Sequence, residues 1–236
     1  MKLRWMSFIL CLGNFAFAAD EVLHLPKEEL AKESVLPYVE DRIAVKNRNV
    51  VTSERFEAGI NYGFSLTEPV YNLGKLNLGL YYHWNEDHAL GLLFGKNSTG
   101  LSSYATQLNK EFTLDLSRAP QPESTMMLDY NIKAYYGKMS LSKGSVFNLA
   151  IFGTASVGTI KYPHKSYIST AVGLGQKFYI TPQLSFRADL RLFAQQAPIP
   201  FLPGFVKTGD PLPNYNQFSE RMTYITNLEM GLFYLF

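Results

Sequence analysis

The sequence has a single cysteine, Cys11, which lies among the first 18 of its 236 residues. One cysteine cannot form a disulfide within the chain. No stretch beyond residue 18 approaches the roughly 20 consecutive apolar residues of a membrane helix. Only 18% of the residues are charged, whereas 14% are aromatic. This composition favours strands and interfaces, and the length suits one moderate domain.

The amino-terminal end has the features of an export signal. Lys2 and Arg4 precede an apolar run over residues 5–12, and an A-x-A cleavage site ends at Ala18. We therefore predict a signal peptide over residues 1–18, cleaved near Ala18. Without Lys2 and Arg4, 20 basic residues balance 20 acidic ones, so the chain offers no basic surface for nucleic acid.

Apolar and polar residues alternate with a period of two through the body of the chain. In residues 56–66 one face carries Phe56, Ala58, Ile60, Tyr62, Phe64 and Leu66, and the other Glu57, Gly59, Asn61, Gly63 and Ser65. Such alternation is typical of a strand with one apolar face, and a helical period would mix the two sets. The same pattern recurs in residues 75–84, 87–95, 128–137, 146–158, 168–180, 184–193 and 222–236.

Eight such strands predict an eight-stranded antiparallel transmembrane β-barrel over residues 53–236. Each is about as long as the 9 to 11 residues with which a tilted strand crosses a bilayer, and the number is even. The connections at residues 85–86, 142–145 and 181–183 are short, whereas those at 67–73, 96–125, 159–167 and 194–221 are longer. Outer-membrane barrels have short periplasmic turns and longer external loops, so we expect both ends of the barrel domain in the periplasm.

The last strand provides a second indication of the outer membrane. Met230, Leu232, Tyr234 and Phe236 occupy every second position, and this pattern resembles the signal that outer-membrane barrels present to their insertion machinery. We expect outer-membrane lipid and that machinery to be partners. Aromatic residues also fall near the predicted membrane boundaries: Tyr82, Trp84, Tyr136, Phe147, Phe178, Tyr234 and Phe236 on the periplasmic side, and Phe64, Tyr71, Tyr130 and Tyr224 on the external side.

Charged residues on the inward faces predict a filled lumen. An eight-stranded barrel is only about wide enough for its own side chains, and buried charges are costly unless they are paired. We therefore expect a network of ion pairs and hydrogen bonds, with a narrow conducting path as the alternative. Its members are Glu57, Lys75, Asp129, Lys133, Lys177, Arg187, Asp189, Arg191 and Glu229.

Three segments outside the strands carry further expectations. Leu101, Tyr104, Ala105 and Leu108 have the spacing of a short amphipathic helix, folded over the barrel mouth or used in binding. The proline-rich residues 198–215 either pack into the mouth or face a partner or a membrane. Residues 19–52 form a periplasmic leader, either weakly ordered or a tether.

Nothing in the sequence predicts catalysis. His24, His83, His88 and His164 lie in the leader, at a turn and in a loop, none beside an obvious serine and acid. We therefore expect no enzyme activity, no metal site and no cofactor. His83 and His164 are better explained as an interfacial and a solvated residue.

Several segments resemble the outer-membrane β-barrel domain proteins of predatory and gliding deltaproteobacteria. They are LPKEELAKESVL (25–36), VKNRNVV (45–51), RFE (55–57), LTEPVY (66–71), YYHWNED (81–87) and GLGQKFY (173–179). The resemblance implies an outer-membrane barrel, in some members similar to components of envelope-spanning assemblies, and implies no catalytic residue. We therefore expect a structural or interaction role, as a membrane anchor for an envelope assembly with a periplasmic or surface protein partner. The alternatives are a small passive channel and, third, a lipid-modifying enzyme.

Overall fold

The computed structural model describes residues 49–142, 145–201, 207–211 and 213–236, with the backbone alone for residues 140–142 and 145–146. The predicted signal peptide (1–18) lies outside the described residues, as does the predicted leader (19–52) except for its last four residues. No helix within the described residues is long and apolar enough to cross a membrane.

Eight antiparallel strands form one closed barrel in which each strand pairs with its neighbours in sequence and β8 pairs with β1. This confirms the predicted eight-stranded antiparallel barrel. The strands are β1 (Arg55–Ser65), β2 (Tyr71–His83), β3 (His88–Leu101), β4 (Ser124–Ser142), β5 (Ser145–Lys161), β6 (Ser166–Tyr179), β7 (Leu184–Pro198) and β8 (Glu220–Leu235).

The strands are staggered around the barrel. Starting from Arg55 of β1, the paired residues can be followed from strand to strand around the barrel and back to β1, where the last partner is Ser65. The first and last positions on β1 therefore differ by ten residues. The residues passed on β2 to β8 are His83, Ala89, Asn131, Thr154, Gly173, Arg191 and Asn227. Strand tilt increases with this displacement, and a displacement of eight corresponds to about 36°. The strands are therefore steeply inclined, and residues far apart in sequence meet across the lumen.

Side chains alternate between the two faces as the period-two pattern predicts. On β2, Leu76, Leu78 and Leu80 are 47–55% exposed on the outside, whereas Lys75 and Tyr81 are 4% and 2% exposed inside. Outward apolar residues therefore surround a polar interior.

A bulge in β4 reverses one part of the predicted pattern. The register shifts between Lys133 and Tyr135, so Ala134 is an extra residue there. As a result Tyr135 points outward, at 57% exposed, and Tyr136 points inward, at 7%. The predicted outward position of Tyr136 is wrong, because strict alternation has no place for an extra residue.

The strands extend further than the sequence predicts, mostly at one end of the barrel. We call this end, with links 66–70, 102–123, 162–165 and 199–219, the loop end, and the other, with links 84–87, 143–144 and 180–183, the turn end. The link between β5 and β6 is thus as short as two of the turns, and only two of the four predicted long loops are long. Segments such as residues 96–100 of β3 have no apolar face, so alternation could not reveal them.

Two aromatic residues lie elsewhere than predicted. Tyr71 faces inward and is buried at the loop end, where its hydroxyl donates to the carbonyl of Leu116 at 3.0 Å. Tyr130 lies at the turn end, because its ring lies 5.9 Å from those of Trp84 and His88. The pairing of β3 with β4 determines the position of Tyr130, and the alternation of apolar and polar residues does not specify how two strands pair.

The predicted short helix is present as α1 (Ser103–Phe112). The side chain of Ser102 accepts a hydrogen bond from Ala105 N–H at 3.1 Å and caps its first turn. Ala105 is fully buried against Val70, Tyr71 and Leu116, with Leu101 and Leu108 packed on the same cluster. Tyr104, which the spacing also assigned to the apolar face, is 57% exposed.

In the proline-rich link between β7 and β8, some described residues pack into the barrel mouth and others are exposed, so each predicted alternative holds for part of the link. Pro198 is buried and Pro200 lies in a pocket of the mouth, whereas Phe201 and Tyr215 are more than 40% exposed. Residues 207–211 lie against the link between β3 and β4, because Arg118 donates to three carbonyls there at 2.6–2.9 Å.

Candidate functional site: the charged lumen

The structure places eight of the nine predicted lumen charges inside the barrel, at most 6% exposed. The ninth, Lys133, is half-buried at the turn end. The eight comprise four acids and four bases, so their formal charges cancel: Glu57, Asp129, Asp189 and Glu229 against Lys75, Lys177, Arg187 and Arg191.

Asp129 and Arg191 form the centre of the network. The guanidinium of Arg191 donates from two nitrogens to the two carboxylate oxygens of Asp129, at 3.0 and 3.1 Å. Asp129 also accepts from the hydroxyls of Tyr81 and Ser156, at 2.8 and 2.5 Å. A bidentate pair with further donors satisfies a carboxylate that is wholly excluded from solvent.

Arg187 and Asp189 extend this centre along β7. Arg187 Nε donates to Asp189 Oδ2 at 2.7 Å, and the same oxygen accepts from Arg191 at 3.1 Å. A second nitrogen of Arg187 donates to Asn131 at 3.0 Å. Both arginines thus share one carboxylate, and the four charged side chains form a continuous group across the lumen.

Aromatic rings surround Arg187 and fill the remaining space. Its guanidinium carbon lies 4.4 Å from the centre of the Phe152 ring, 5.0 Å from Tyr81 and 5.4 Å from Phe233. The ring of Tyr81 lies so close over Gly91 that a Cβ there would overlap it. Glycine on the inward face therefore provides the space for an aromatic ring.

A second cluster lies nearer the turn end. Glu57 Oε2 accepts from Lys177 Nζ at 2.6 Å and lies 2.7 Å from His83 Nε2. His83 is 6% exposed, so its predicted interfacial position is wrong: it is a lumen residue. On β2, His83 belongs to the same alternate set as Lys75 and Tyr81, which face inward, and this could have revealed its position.

The loop-end half of the lumen is paired less directly. Lys75 Nζ lies 4.1 Å from the centre of the Phe193 ring, and among the described residues no carboxylate lies within 4.0 Å of it. Gly63 of β1 pairs with Lys75 of β2 on one side and with Glu229 of β8 on the other, so that one strand lies between the two charged residues. The nearest cation to Glu229 is Arg191, with Nε 3.6 Å from Oε2. Buried polar atoms of Asn227 and Ser169 have no partner in the described part of the chain, which suits ordered water there.

The last residues of the predicted leader cross the turn end of the lumen. The backbone N–H groups of Thr52 and Ser53 both donate to Glu86 Oε1 at 2.9 Å, and Lys133 donates to the hydroxyl of Thr52 at 3.0 Å. Val50 is 1% exposed. We call residues 50–53 the latch. The sequence prediction missed it, because the leader lacks the period-two pattern.

Glu86 carries the charge that holds the latch. Burial raises the pKa of its carboxyl, but the N–H of Ser53 and the charge of Lys133 outweigh this and hold the pKa below its ordinary value. Lys133 lies 3.8 Å from Glu86, so its role is at the latch. The sequence prediction placed Lys133 in the lumen network and omitted Glu86.

Small pockets remain at both ends. The one at the turn end has a volume of about 20 Å³, room for about one water molecule. The one at the loop end, about 60 Å³, is lined by Glu68, Tyr71 and Tyr162 among others. Burial raises the pKa of Glu68, in part offset by the Val70 N–H and Arg221.

The three histidines within the described residues contact groups other than serine hydroxyls. Besides His83 with Glu57, His88 lies 2.6 Å from the hydroxyl of Tyr130, and His164 lies 3.1 Å from that of Tyr167. Across the described residues, no group of three or more His, Cys, Asp or Glu side chains is placed to hold a metal ion.

The residues of the predicted insertion signal share the outer face of β8. Met230, Leu232, Tyr234 and Phe236 are 39–64% exposed. They therefore contact the surroundings of the barrel and take no part in the lumen network.

Comparisons with known proteins add a likeness of shape. No protein-family model and no curated protein matches this chain. A solved structure from the de novo design of transmembrane β-barrels matches over 78% of this chain and 97% of its own, with 9% sequence identity and a TM-score of 0.39.

Proposed function

We propose that the protein is an outer-membrane β-barrel with a closed lumen and a structural or interaction role, as a membrane anchor for an envelope assembly. In this proposal the chain acts without a cofactor and without catalysis. Its partners are membrane lipid, the barrel insertion machinery and a periplasmic or surface protein.

The outer face of the barrel carries the proposal. Each of the eight strands exposes a large apolar side chain on the outer face, at least 38% exposed: Ile60, Leu78, Leu92, Leu128, Val157, Leu174, Leu190 and Leu232. Soluble monomers rarely expose contiguous apolar patches beyond a few hundred Å². A closed barrel also leaves no strand edge unpaired, as hydrocarbon requires. An apolar outside around a charged inside is the arrangement that a bilayer stabilises.

The orientation follows from the two ends. The two long links lie at the loop end, and outer-membrane barrels place long loops outside the cell. Exposed aromatic residues lie at the turn end, in the position of an interfacial girdle, and include Phe56, Tyr82, Trp84 and Phe236. In this proposal the turn end, with the latch, faces the periplasm.

The closed lumen favours a structural role over conduction. Arg187, held between three rings and two hydrogen-bonded partners, occupies the middle of the barrel, and the latch covers the turn end. A small passive channel is the second candidate, since buried polar atoms of Asn227 and Ser169 in the loop-end half have no hydrogen-bond partner among the described residues.

Insertion into vesicles tests the membrane assignment. We expect the purified chain to fold into phosphatidylcholine vesicles and to sediment with them after urea washing. Leu78→Arg places a charge in the middle of the outer face and should cost about 2–4 kcal/mol of stability in the bilayer. Tyr104→Arg, on exposed α1, is the control and should change stability by no more than about 0.5 kcal/mol. A chain that is folded and monomeric in water without detergent would contradict the proposal.

Planar bilayers separate the two candidate functions. We expect no stepwise current from the purified barrel, because Arg187 and the rings of Tyr81, Phe152 and Phe233 around it fill the middle of the lumen. Reproducible unitary conductance would favour the channel. In native membranes, the structural role predicts that a defined protein partner is crosslinked to the native chain and recovered with it.

A further inference from the structure

A groove runs along the outer face of the barrel toward the loop end. It extends across β1 to β6 and has a volume of about 590 Å³. Its floor is apolar, formed by Leu78, Phe94 and Met126, which are 39–50% exposed. In the proposed membrane, this floor extends from the middle of the bilayer into the external leaflet.

A polar row closes the groove on its loop-end side. The register pairs Lys96 with Ser124, Ser124 with Lys161, and Lys161 with Ser166. On each strand, these residues belong to the alternate set that faces outward. Because neighbouring strands lie about 4.8 Å apart, the two lysines are separated by about 10 Å at the backbone, with a serine between them.

The two lysines have no acidic partner within the described residues. Neither Lys96 nor Lys161 has a carboxylate within 4.0 Å, whereas Lys165 lies 2.9 Å from Glu220. Glu123 precedes Ser124 and by alternation belongs to the opposite face. The row is therefore a cluster of two exposed cations and two hydroxyls directly above an apolar floor.

We infer that this groove binds an anionic, phosphate-bearing lipid of the external leaflet. The phosphate lies between Lys96 and Lys161, where Ser124 and Ser166 donate hydrogen bonds, and an acyl chain lies along Phe94 and Met126. Basic clusters at the membrane surface attract anionic headgroups, and the apolar floor selects a ligand with a chain over free phosphate. The inference rests on the proposed membrane location.

Mass spectrometry of the intact complex tests the groove. The full chain is folded into phosphatidylcholine vesicles containing diphosphoryl lipid A, extracted in mild detergent, and titrated with the same lipid. We expect K96Q/K161Q to weaken binding by about 30-fold, the effect of roughly 1 kcal/mol for each lysine. The matched control is K110Q/K138Q, which removes two exposed lysines elsewhere and should bind as the native chain does. Ser124→Asp should weaken binding as well, since it places an acid between the two cations.

Each outcome decides the inference. Lysine-dependent binding of diphosphoryl lipid A, with weaker binding of the dephosphorylated lipid, supports it. Equal binding by K96Q/K161Q and K110Q/K138Q overturns it, as does competition by inorganic phosphate at the affinity of the lipid. If the native chain does not insert into pure phosphatidylcholine vesicles, the membrane proposal fails and the groove with it. Insertion without lysine-dependent binding contradicts the groove alone.

Discussion

The middle and turn-end part of the lumen differs from the loop-end half in how its charges are paired. In the first, Glu57 lies 2.6 Å from Lys177, and Asp129 lies 3.0 Å from Arg191. In the second, Lys75 contacts an aromatic ring, and Glu229 lies 3.6 Å from its nearest cation. Removing one member of a directly bonded buried pair leaves a charge without compensation, whereas removing a loosely paired charge does not. The two parts should therefore respond very differently to substitution.

The largest effect is expected for Asp129→Ala. This change removes the bidentate partner of Arg191 and an acceptor of the Tyr81 hydroxyl, so we expect a loss of about 3–5 kcal/mol in the free energy of unfolding. Urea unfolding from phosphatidylcholine vesicles measures it. The double variant D129L/R191M removes both charges together and should recover part of the loss, but not all of it, because Arg191 also contacts Asp189 and Glu229. If D129A cost less than about 1 kcal/mol, the central pair would not hold the barrel.

A smaller effect is expected for Lys75→Met in the loop-end half. Methionine retains most of the side-chain volume against Phe193, and no directly bonded acid is left behind. The free energy of unfolding should change by less than about 1 kcal/mol, in either direction, in the same urea titration. A loss as large as that of D129A would show that Lys75 and Glu229 form a direct pair and would remove the contrast between the two parts.

Much of the barrel could be predicted from the sequence, because alternation specifies the face of each residue. The inward set that includes Glu57, Asp129 and Arg191 follows from period two alone. Which of these residues meet does not follow, since Asp129 and Arg191 are 62 positions apart and their contact depends on the ten-residue stagger of the ladders. The bulge at Ala134 likewise leaves no signal in an alternating pattern.

The latch shows where such prediction stops. Val50, Thr52 and Ser53 belong to no strand, and their positions depend on hydrogen bonds to Glu86, which lies more than 30 residues further along the chain. A pattern of apolar and polar residues does not report contacts of this kind. The pairing of a loop carboxylate with backbone N–H groups becomes visible only in three dimensions.

The smallest global effect, but a specific local one, is expected for Glu86→Gln at the latch. Because the pKa of Glu86 lies below its ordinary value of 4.5, the carboxylate stabilises the latch at pH above 4.5. This contribution is lost as the pH falls through the lowered pKa. The protection factors of the Thr52 and Ser53 amides against hydrogen exchange should therefore fall on acidification in the native chain. In E86Q they should be low at neutral pH and show no such step, while global stability changes by less than about 1 kcal/mol.

Glu123→Gln is the control for this experiment, because Glu123 is exposed at the opposite end of the barrel. This variant should retain both the protection and its pH dependence. Amides of Thr52 and Ser53 that are equally protected in E86Q and the native chain would mean that packing of Val50 alone, fully buried beside Tyr136 and Tyr179, holds the latch. The turn end would then be closed by apolar contact, and charge pairing would distinguish only the middle of the lumen from its loop-end half.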